Sequence, residues 1–167
     1  MSGNSTEWEQ IVRENTKGML RLAIRIVGSP ADAEELVQEA FLKAFQYQRR
    51  EKIDNWGGLL HRFVANAGLD HLRKRRTTVP LCEASLAGLT GDPVRQAEAS
   101  DLAAQLRREI ARLPRQQSRV FCLSELDGRS NHEIAESLGI NERAVASALH
   151  KARKRLAALM AKVLRKD

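Results

Sequence analysis

The stretch GRSNHEIAESLGINERAVASALHKARKRL, residues 128–156, carries the most specific pattern in this chain of 167 residues. Ser130 and Glu133 form a capping box that predicts the start of a short helix. Gly139 then supplies a tight turn, and Asn141 caps a second, longer helix. Apolar side chains recur where the two helices would pack together, at Ile134, Ala135, Leu138, Ile140, Val145 and Leu149. This is the plan of a helix–turn–helix, whose second helix enters the major groove of DNA.

Polar and basic side chains on the second helix suit a nucleic acid. Phosphates would be contacted by Lys151, Arg153, Lys154 and Arg155, which gives affinity without reading sequence. The alternative reading is a structural helical hairpin with a solvated charged face. The candidate DNA-binding residues of this motif are Arg129, Asn141, Arg143, Ser147, His150, Lys151, Arg153 and Lys154.

Charge is unevenly distributed along a chain whose net charge is +7 and whose pI is about 9.9. Residues 1–76 carry a net charge of +3, residues 77–100 of −2 and residues 101–167 of +6. Residues 77–100 also hold four glycines and prolines with no sustained apolar period, as in a linker. No strand-like alternation occurs. The sequence predicts an all-α protein: a helical domain over 1–76, a flexible linker over 77–100, and a helix–turn–helix domain over 101–167.

The N-terminal domain contains an acidic helix, SPADAEELVQEAFLKAF, residues 29–45. Thr6 predicts the start of the helix before it, and Gly28 its end. Ser29 caps the acidic helix, whose apolar stripe contains Ala33, Leu36, Val37, Ala40, Phe41, Ala44 and Phe45. Asp32, Glu35 and Glu39 would lie on the opposite face. An acidic face on a basic protein indicates a partner other than DNA.

A third helix, LLHRFVANAGLDHLRKRR, residues 59–76, places polar side chains at helical spacings. Arg62, Asn66 and Arg73 could face DNA, and an asparagine amide suits base-edge recognition because it both donates and accepts. The polar loop before this helix holds Tyr47 and Trp56, which could stack on unpaired bases. For Trp56 the equal alternative is a core anchor at the helix start. Phe41, Phe45 and Phe63 are predicted core residues.

Other classes of protein find little support in the sequence. The four histidines are scattered, no phosphate-binding glycine loop occurs, and HEIAE lacks the second histidine of the zinc motif. We therefore expect no enzyme activity, cofactor or metal. Cys82 and Cys122 give no disulfide framework and are read as reduced thiols of a cytoplasmic protein. No apolar run predicts a membrane span or a signal peptide.

At these blocks the chain resembles the bacterial sigma-70 family, in its extracytoplasmic-function (ECF) class. DAEELVQEAFLKAF resembles the family's second conserved region, and LLHRFVANAGLDHLRKRR resembles the helix that follows it. The segment from Leu113 to Leu156 resembles the fourth region. Together the blocks cover about 130 residues in the family's order, with the linker where the family has one.

The resemblance implies a protein that binds core RNA polymerase and melts promoter DNA. It implies contacts with the clamp helices of the largest polymerase subunit through Asp32, Glu35, Leu36, Gln38 and Glu39, and a contact with the flap of the second-largest subunit. It implies binding of the minus-ten element through Tyr47, Arg49, Arg50, Trp56, Arg62, Asn66, Arg73 and Lys74. The helix–turn–helix would bind the minus-thirty-five element, and an anti-sigma protein is a possible further partner.

Two departures from the family concern the second helix of the helix–turn–helix. Ala146 and Ala148 stand where the family usually has basic residues, which predicts weaker or different minus-thirty-five recognition. A rival reading is a stand-alone helix–turn–helix repressor whose N-terminal half dimerises or senses a signal. Such a repressor would bind a palindromic site as a dimer, whereas a sigma factor would act only with polymerase.

Overall fold

The computed structural model describes residues 2–78 and 93–165, and over these ranges it contains seven α-helices and no β-strand. The helices are α1 (Ser2–Val27), α2 (Pro30–Tyr47), α3 (Trp56–Thr78), α4 (Pro93–Arg112), α5 (Arg115–Phe121), α6 (Asn131–Leu138) and α7 (Glu142–Arg165). α5 continues into a π-helical turn at Cys122–Leu126. The predicted all-α fold is confirmed.

The predicted helix boundaries agree with the structure where a capping residue sets the boundary. Gly28 has φ of 77°, and the Ser29 hydroxyl accepts a hydrogen bond from the Asp32 N–H at 3.4 Å. In the capping box, the Ser130 hydroxyl accepts from the Glu133 N–H at 3.1 Å, and the Glu133 carboxylate accepts from the Ser130 N–H at 2.9 Å. Gly139 follows with φ of 69°.

Two boundaries differ from the prediction. α1 begins at Ser2, so Thr6 lies inside it. α4 begins at Pro93 rather than after Ser100, because Pro93 suits a first helical turn and the residues after it are mostly good helix formers with no glycine. The predicted linker is therefore shorter at both ends. Its remainder, 79–92, lies outside the described residues, as does Cys82.

α1, α2 and α3 form the N-terminal half and pack against one another. Gly68 of α3 lets the helices approach closely, since a Cβ there would lie 2.8 Å from Ile26 Cγ2 of α1. Its core consists mainly of Met19, Leu22, Ala23, Ile26, Ala33, Val37, Ala40, Ala44, Leu60, Val64 and Leu69. The apolar stripe predicted for α2 faces this core.

α4 to α7 form the C-terminal half, with α6, the turn at Gly139 and α7 as the helix–turn–helix. Its core includes Val120, Cys122, Leu123, Ile134, Val145, Leu149, Ala152 and Leu156. The two halves are not separate in space. α3 packs on α4, α5 and α6, and the π-helical turn contacts α1 and α3.

Candidate nucleic-acid and protein interfaces

The outer face of α7 carries most of the residues predicted for the helix–turn–helix. Asn141 caps α7, its side-chain oxygen accepting from the Ala144 N–H at 2.7 Å. Arg153 is held by Glu125, whose carboxylate accepts from Arg153 Nε at 2.7 Å. The exposed polar side chains along this face are Arg143, Ser147, His150, Lys151, Arg153 and Lys154. The helix thus presents one basic, solvent-facing surface.

The two alanines of α7 are not equivalent. Ala146 is exposed, whereas Ala148 is 6% exposed and packs in the core. The comparison of Ala148 with a base-reading position is therefore wrong, because a side chain there points away from any groove. The expected change in minus-thirty-five recognition depends on Ala146 alone.

Arg129 lies apart from the α7 surface. Its Nε donates to the Asp127 carboxylate at 2.7 Å, and its Nη2 lies 3.5 Å from the Gly57 carbonyl oxygen at the start of α3. Arg129 therefore faces the N-terminal half in this structure, where the sequence grouped it with the groove-binding residues.

An acidic face runs along the outside of α2. Glu35, Gln38 and Glu39 are exposed, as predicted for three of the five residues of this set. Leu42 continues the same face with 65% of its surface exposed. Leu42 was not among the predicted surface residues, although it falls outside the apolar stripe of α2. This face of α2 therefore presents two exposed carboxylates and one exposed leucine.

The other two residues of that set lie elsewhere. Leu36 is only 6% exposed and belongs to the core, so assigning it to a surface contact is wrong. Asp32 turns toward α3, where its Oδ2 lies 3.3 Å from His71 Nε2 and 3.6 Å from Arg75 Nη1. Asp32 thus bridges two helices of its own domain instead of standing on the solvent-facing side.

The loop between α2 and α3 presents aromatic and basic side chains. The Tyr47 hydroxyl donates to Glu51 at 2.7 Å, and this hydrogen bond raises the pKa of Tyr47. Arg50 is exposed, and Arg49 lies over the Phe45 ring at 5.4 Å.

Trp56 is half-buried and meets Trp8 edge-to-face at 5.7 Å, so it anchors the start of α3 and also reaches the surface. Trp8, which the sequence analysis did not select, contacts Phe45 as well, at 5.2 Å. Phe45 is 38% exposed, so its placement in the core is wrong. The three rings form an aromatic cluster at the end of α2 that borders the loop.

The polar face of α3 meets the C-terminal half. Arg62 Nη1 donates to the Ser137 carbonyl at 3.0 Å, and Arg73 Nη2 donates to Ser118 Oγ at 3.2 Å. Asn66, between them, is half-buried, whereas Lys74 is exposed. The structure therefore brings Arg62, Asn66 and Arg73 together on one face, and that face contacts α5 and α6.

A cavity of about 210 Å³ lies where the loop, α3 and α6 meet. Tyr47, Asn55 and Arg62 line it from the N-terminal half, and Glu136 and Ser137 line it from α6. Asn55 also fixes the start of α3, because its side-chain oxygen accepts from the Gly58 N–H at 3.0 Å.

A buried contact between a histidine and a carboxylate joins the halves. His61 Nδ1 lies 2.7 Å from Asp127 Oδ2, and both side chains are nearly buried. Burial raises the pKa of Asp127, but hydrogen bonds and charge from His61 and Arg129 outweigh it, so the pKa lies below its usual value. No local sequence pattern indicates this pair, since the partners are 66 residues apart.

Comparisons with known proteins cover both halves. Residues 11–78 match the family described as Sigma-70 region 2, and residues 103–156 match Sigma-70, region 4. The chain is 34% identical to the ECF RNA polymerase sigma factor SigF of Caulobacter vibrioides over 142 residues, which cover 81% of this chain and 75% of SigF. It is 30% identical to the ECF RNA polymerase sigma factor SigE of Mycolicibacterium smegmatis over 159 residues, 93% of this chain. The chain spans only 62% of SigE.

The fold is also similar to a solved structure. The sigma factor RpoE, in complex with the anti-sigma factor NepR from Bartonella quintana, superposes with a TM-score of 0.53 at 20% identity. The match covers 96% of this chain and 98% of RpoE. Over residues 2–78 and 93–165, no helix is long and apolar enough to cross a bilayer.

Proposed function

The chain belongs to the ECF class of the sigma-70 family, whose members are initiation factors and not enzymes, and we propose that it directs core RNA polymerase to promoters. In this proposal α1 to α3 bind the polymerase and the melted minus-ten element, and α7 binds the minus-thirty-five element. Binding and melting are the whole activity, so no covalent step is required of the chain.

The observation that carries the proposal is that one small domain presents both an acidic face and an aromatic, basic surface. The exposed carboxylates of Glu35 and Glu39 lie on α2, on the same face as the exposed Leu42. Tyr47 at the end of α2 and the basic loop residues Arg49 and Arg50 follow directly. An acidic face would dock on a basic protein surface and set orientation, while the loop would hold unpaired bases by stacking.

Base capture by the loop is compatible with known energetics. Extruding a base costs only a few kcal/mol, and pocket contacts can offset it. The cavity beside Tyr47, Asn55 and Arg62 supports the proposal that this loop receives a flipped base, because it offers an aromatic ring, an amide and a cation.

The proposed partners follow from the same surfaces. They are core polymerase, through its clamp helices and flap, and promoter DNA, which places the chain in the cytoplasm. An anti-sigma protein is a further proposed partner, since RpoE was solved with one. The repressor alternative is not favoured, because a dimerisation or sensing domain would not match the second sigma region over residues 11–78.

Charge reversal on α2 tests the proposal. Glu35→Lys with Glu39→Lys should weaken binding to core polymerase by about tenfold or more, because two attractive pairs become repulsive. Fluorescence titration of the labelled chain with core enzyme measures this. Glu7→Lys with Glu9→Lys, on the exposed side of α1, is the matched control and should bind normally. Equal affinities of the three proteins would contradict the assignment of the α2 face.

A further inference from the structure

The first turn of α7 carries a carboxylate that lies outside the candidate DNA-binding set. Glu142 is the first residue of α7 and follows directly on the cap, Asn141. Its side chain is 59% exposed. In a helix–turn–helix, the N-terminal residues of the second helix contact base edges in the major groove. Glu142 therefore lies where a side chain of α7 can reach a base.

A histidine of α6 contacts this carboxylate. His132 Nδ1 lies 2.7 Å from Glu142 Oε1, and the ring N–H donates, because an ionised carboxylate only accepts hydrogen bonds. The contact joins the first turn of α6 to the first turn of α7 and stands at the surface, since the His132 side chain is 76% exposed. It uses one carboxylate oxygen, and Oε2 can still accept a hydrogen bond from a base. His132 thus restricts the rotation of Glu142 without consuming its capacity as an acceptor.

The backbone that carries the two side chains is held by local contacts. In the turn, the Ile140 N–H donates to a carbonyl of α6 at 3.1 Å, and Ile134 of α6 and Val145 of α7 are fully buried. The distance between the two side chains is therefore set by the packing of the motif. A side chain that is already ordered loses less conformational entropy when it binds, so Glu142 is prepared for one geometry of contact.

Ala146 leaves the carboxylate without a cation at the next turn of its own helix. Side chains four residues apart are neighbours on a helix, and a glutamate pairs with a lysine or arginine placed four residues after it. Ala146 is exposed and carries neither a charge nor a side-chain donor. A base pair opposite this turn therefore meets an acceptor, the Glu142 carboxylate, where an arginine or lysine at position 146 would have offered donors.

The chemistry of the major groove decides which base such an acceptor favours. Cytosine presents its N4 amine, a donor, and a carboxylate accepts from it. Guanine presents two acceptors, N7 and O6, and thymine presents O4, so both repel a carboxylate. Adenine presents its N6 amine beside the acceptor N7. An exposed, oriented carboxylate in the first turn of α7 therefore favours cytosine over the other three bases.

We propose that Glu142 is a specificity-determining residue that makes α7 prefer cytosine at the base facing its first turn, and that His132 is its positioning residue. The inference rests on the proposed function for the identity of the element, which would be the minus-thirty-five element. The preference itself requires only that α7 enter a major groove. The competing explanation is that Glu142 compensates the positive end of the helix dipole. That role stabilises α7 but reads no base, so the two explanations differ in base preference.

Selection from a duplex library tests the proposal. The full chain, alone in one arm and with core polymerase in the other, binds duplexes that contain a random segment, and the bound duplexes are sequenced. Wild type should enrich cytosine at one position. Glu142→Gln should lower the ratio of cytosine to adenine there by about fivefold or more, because a glutamine amide pairs with adenine N6 and N7. Glu9→Gln, exposed on α1, is the matched control and should leave the ratio unchanged.

The positioning role of His132 has its own pair of variants. His132→Ala should lower the same ratio by about twofold or more, since the hydrogen bond that orients the carboxylate is lost. His132→Asn should restore the ratio, because an asparagine amide nitrogen occupies nearly the place of Nδ1 and donates. A purely structural role would change the free energy of unfolding and leave the ratio unchanged, which would overturn the assignment of His132. Each ratio is measured within one protein sample, so partial unfolding does not alter it.

Ala146→Arg tests the neighbouring position. The new arginine would pair with Glu142 and would itself suit guanine O6 and N7, so the ratio of cytosine to guanine should fall by about fivefold or more. An unchanged ratio would contradict the assignment of this base to Glu142.

Two results would overturn the proposal outright. One is a ratio of cytosine to adenine that is the same for wild type and Glu142→Gln, which would leave Glu142 with dipole compensation alone. The other is a wild-type chain that enriches no cytosine in either arm.

Transcription with core polymerase separates this inference from the proposed function. If the wild-type chain supports no transcription but alone enriches cytosine in a manner that depends on Glu142, the proposed function fails and the base preference stands. If the chain supports transcription from templates whose upstream element does not depend on Glu142, the base preference is refuted and the proposed function stands.

Discussion

Cys122 lies at the centre of the C-terminal half, and burial raises the pKa of its thiol to about 12. Because only the thiolate reacts with thiol reagents, the folded chain should protect this residue at pH 8. In a Cys82→Ser variant, Ellman's reagent should detect no thiol under native conditions and one thiol in 6 M guanidinium. Rapid native reaction would show that the C-terminal core opens readily.

Asp127 links stability to pH through its lowered pKa. A carboxylate with a lowered folded pKa stabilises the protein above its unfolded pKa of about 3.9, and this contribution is lost as pH falls through the folded pKa. The free energy of unfolding of wild type should therefore exceed that of Asp127→Asn most clearly near pH 6. Urea unfolding from pH 6 to pH 3 should show the difference shrinking. A constant difference, or one that grows on acidification, would contradict the role of His61 and Arg129 as its partners.

Single residues also show which structural roles can be predicted from the sequence. Caps such as Ser29 and Ser130 act on the backbone of their nearest neighbours, so their role was predictable from four residues. Leu36 was assigned to a surface only through the family resemblance, while the apolar stripe already placed it in the core. Leu42 stands outside that stripe, and a stricter reading of the helical period would have identified it.

Among the elements, α1 and α3 depend on a close approach at Gly68. Gly68→Ala should lower the free energy of unfolding by about 1–3 kcal/mol, because the new methyl group would lie 2.8 Å from Ile26 Cγ2. This exceeds the gain of up to about 1 kcal/mol that alanine brings to a helix interior. Gly3→Ala is the control, since a Cβ at Gly3 meets nothing within 4 Å. Urea denaturation measures both, and a Gly68→Ala protein as stable as wild type would refute the close packing.

The helices also show which features cannot be predicted from the sequence. The apolar period and the caps predicted α2, α6 and the start of α7, since these signals are local. The face of α3 with Arg62, Asn66 and Arg73 looked solvent-exposed, because a polar face gives the same pattern whether it meets water, DNA or another polar face. Only the fold shows that it contacts α5 and α6.

At the scale of the whole molecule, two helical halves share a boundary that contains hydrogen bonds and charged side chains, and their buried apolar residues belong to one continuous core. Contacts between distant residues, such as His61 with Asp127, arise from tertiary packing and leave no periodic trace in the sequence. The all-α class was predictable, whereas the arrangement of the two halves was not.

The central claim is that the chain makes core RNA polymerase recognise promoters. Reconstituted transcription of a library of random upstream sequences, with core enzyme and the purified chain, tests it most directly. We predict RNA with discrete start sites, from templates enriched for one element near minus-ten and a second near minus-thirty-five. Output no greater than that of core enzyme alone, or selection only of palindromic sites bound without polymerase, would contradict the account.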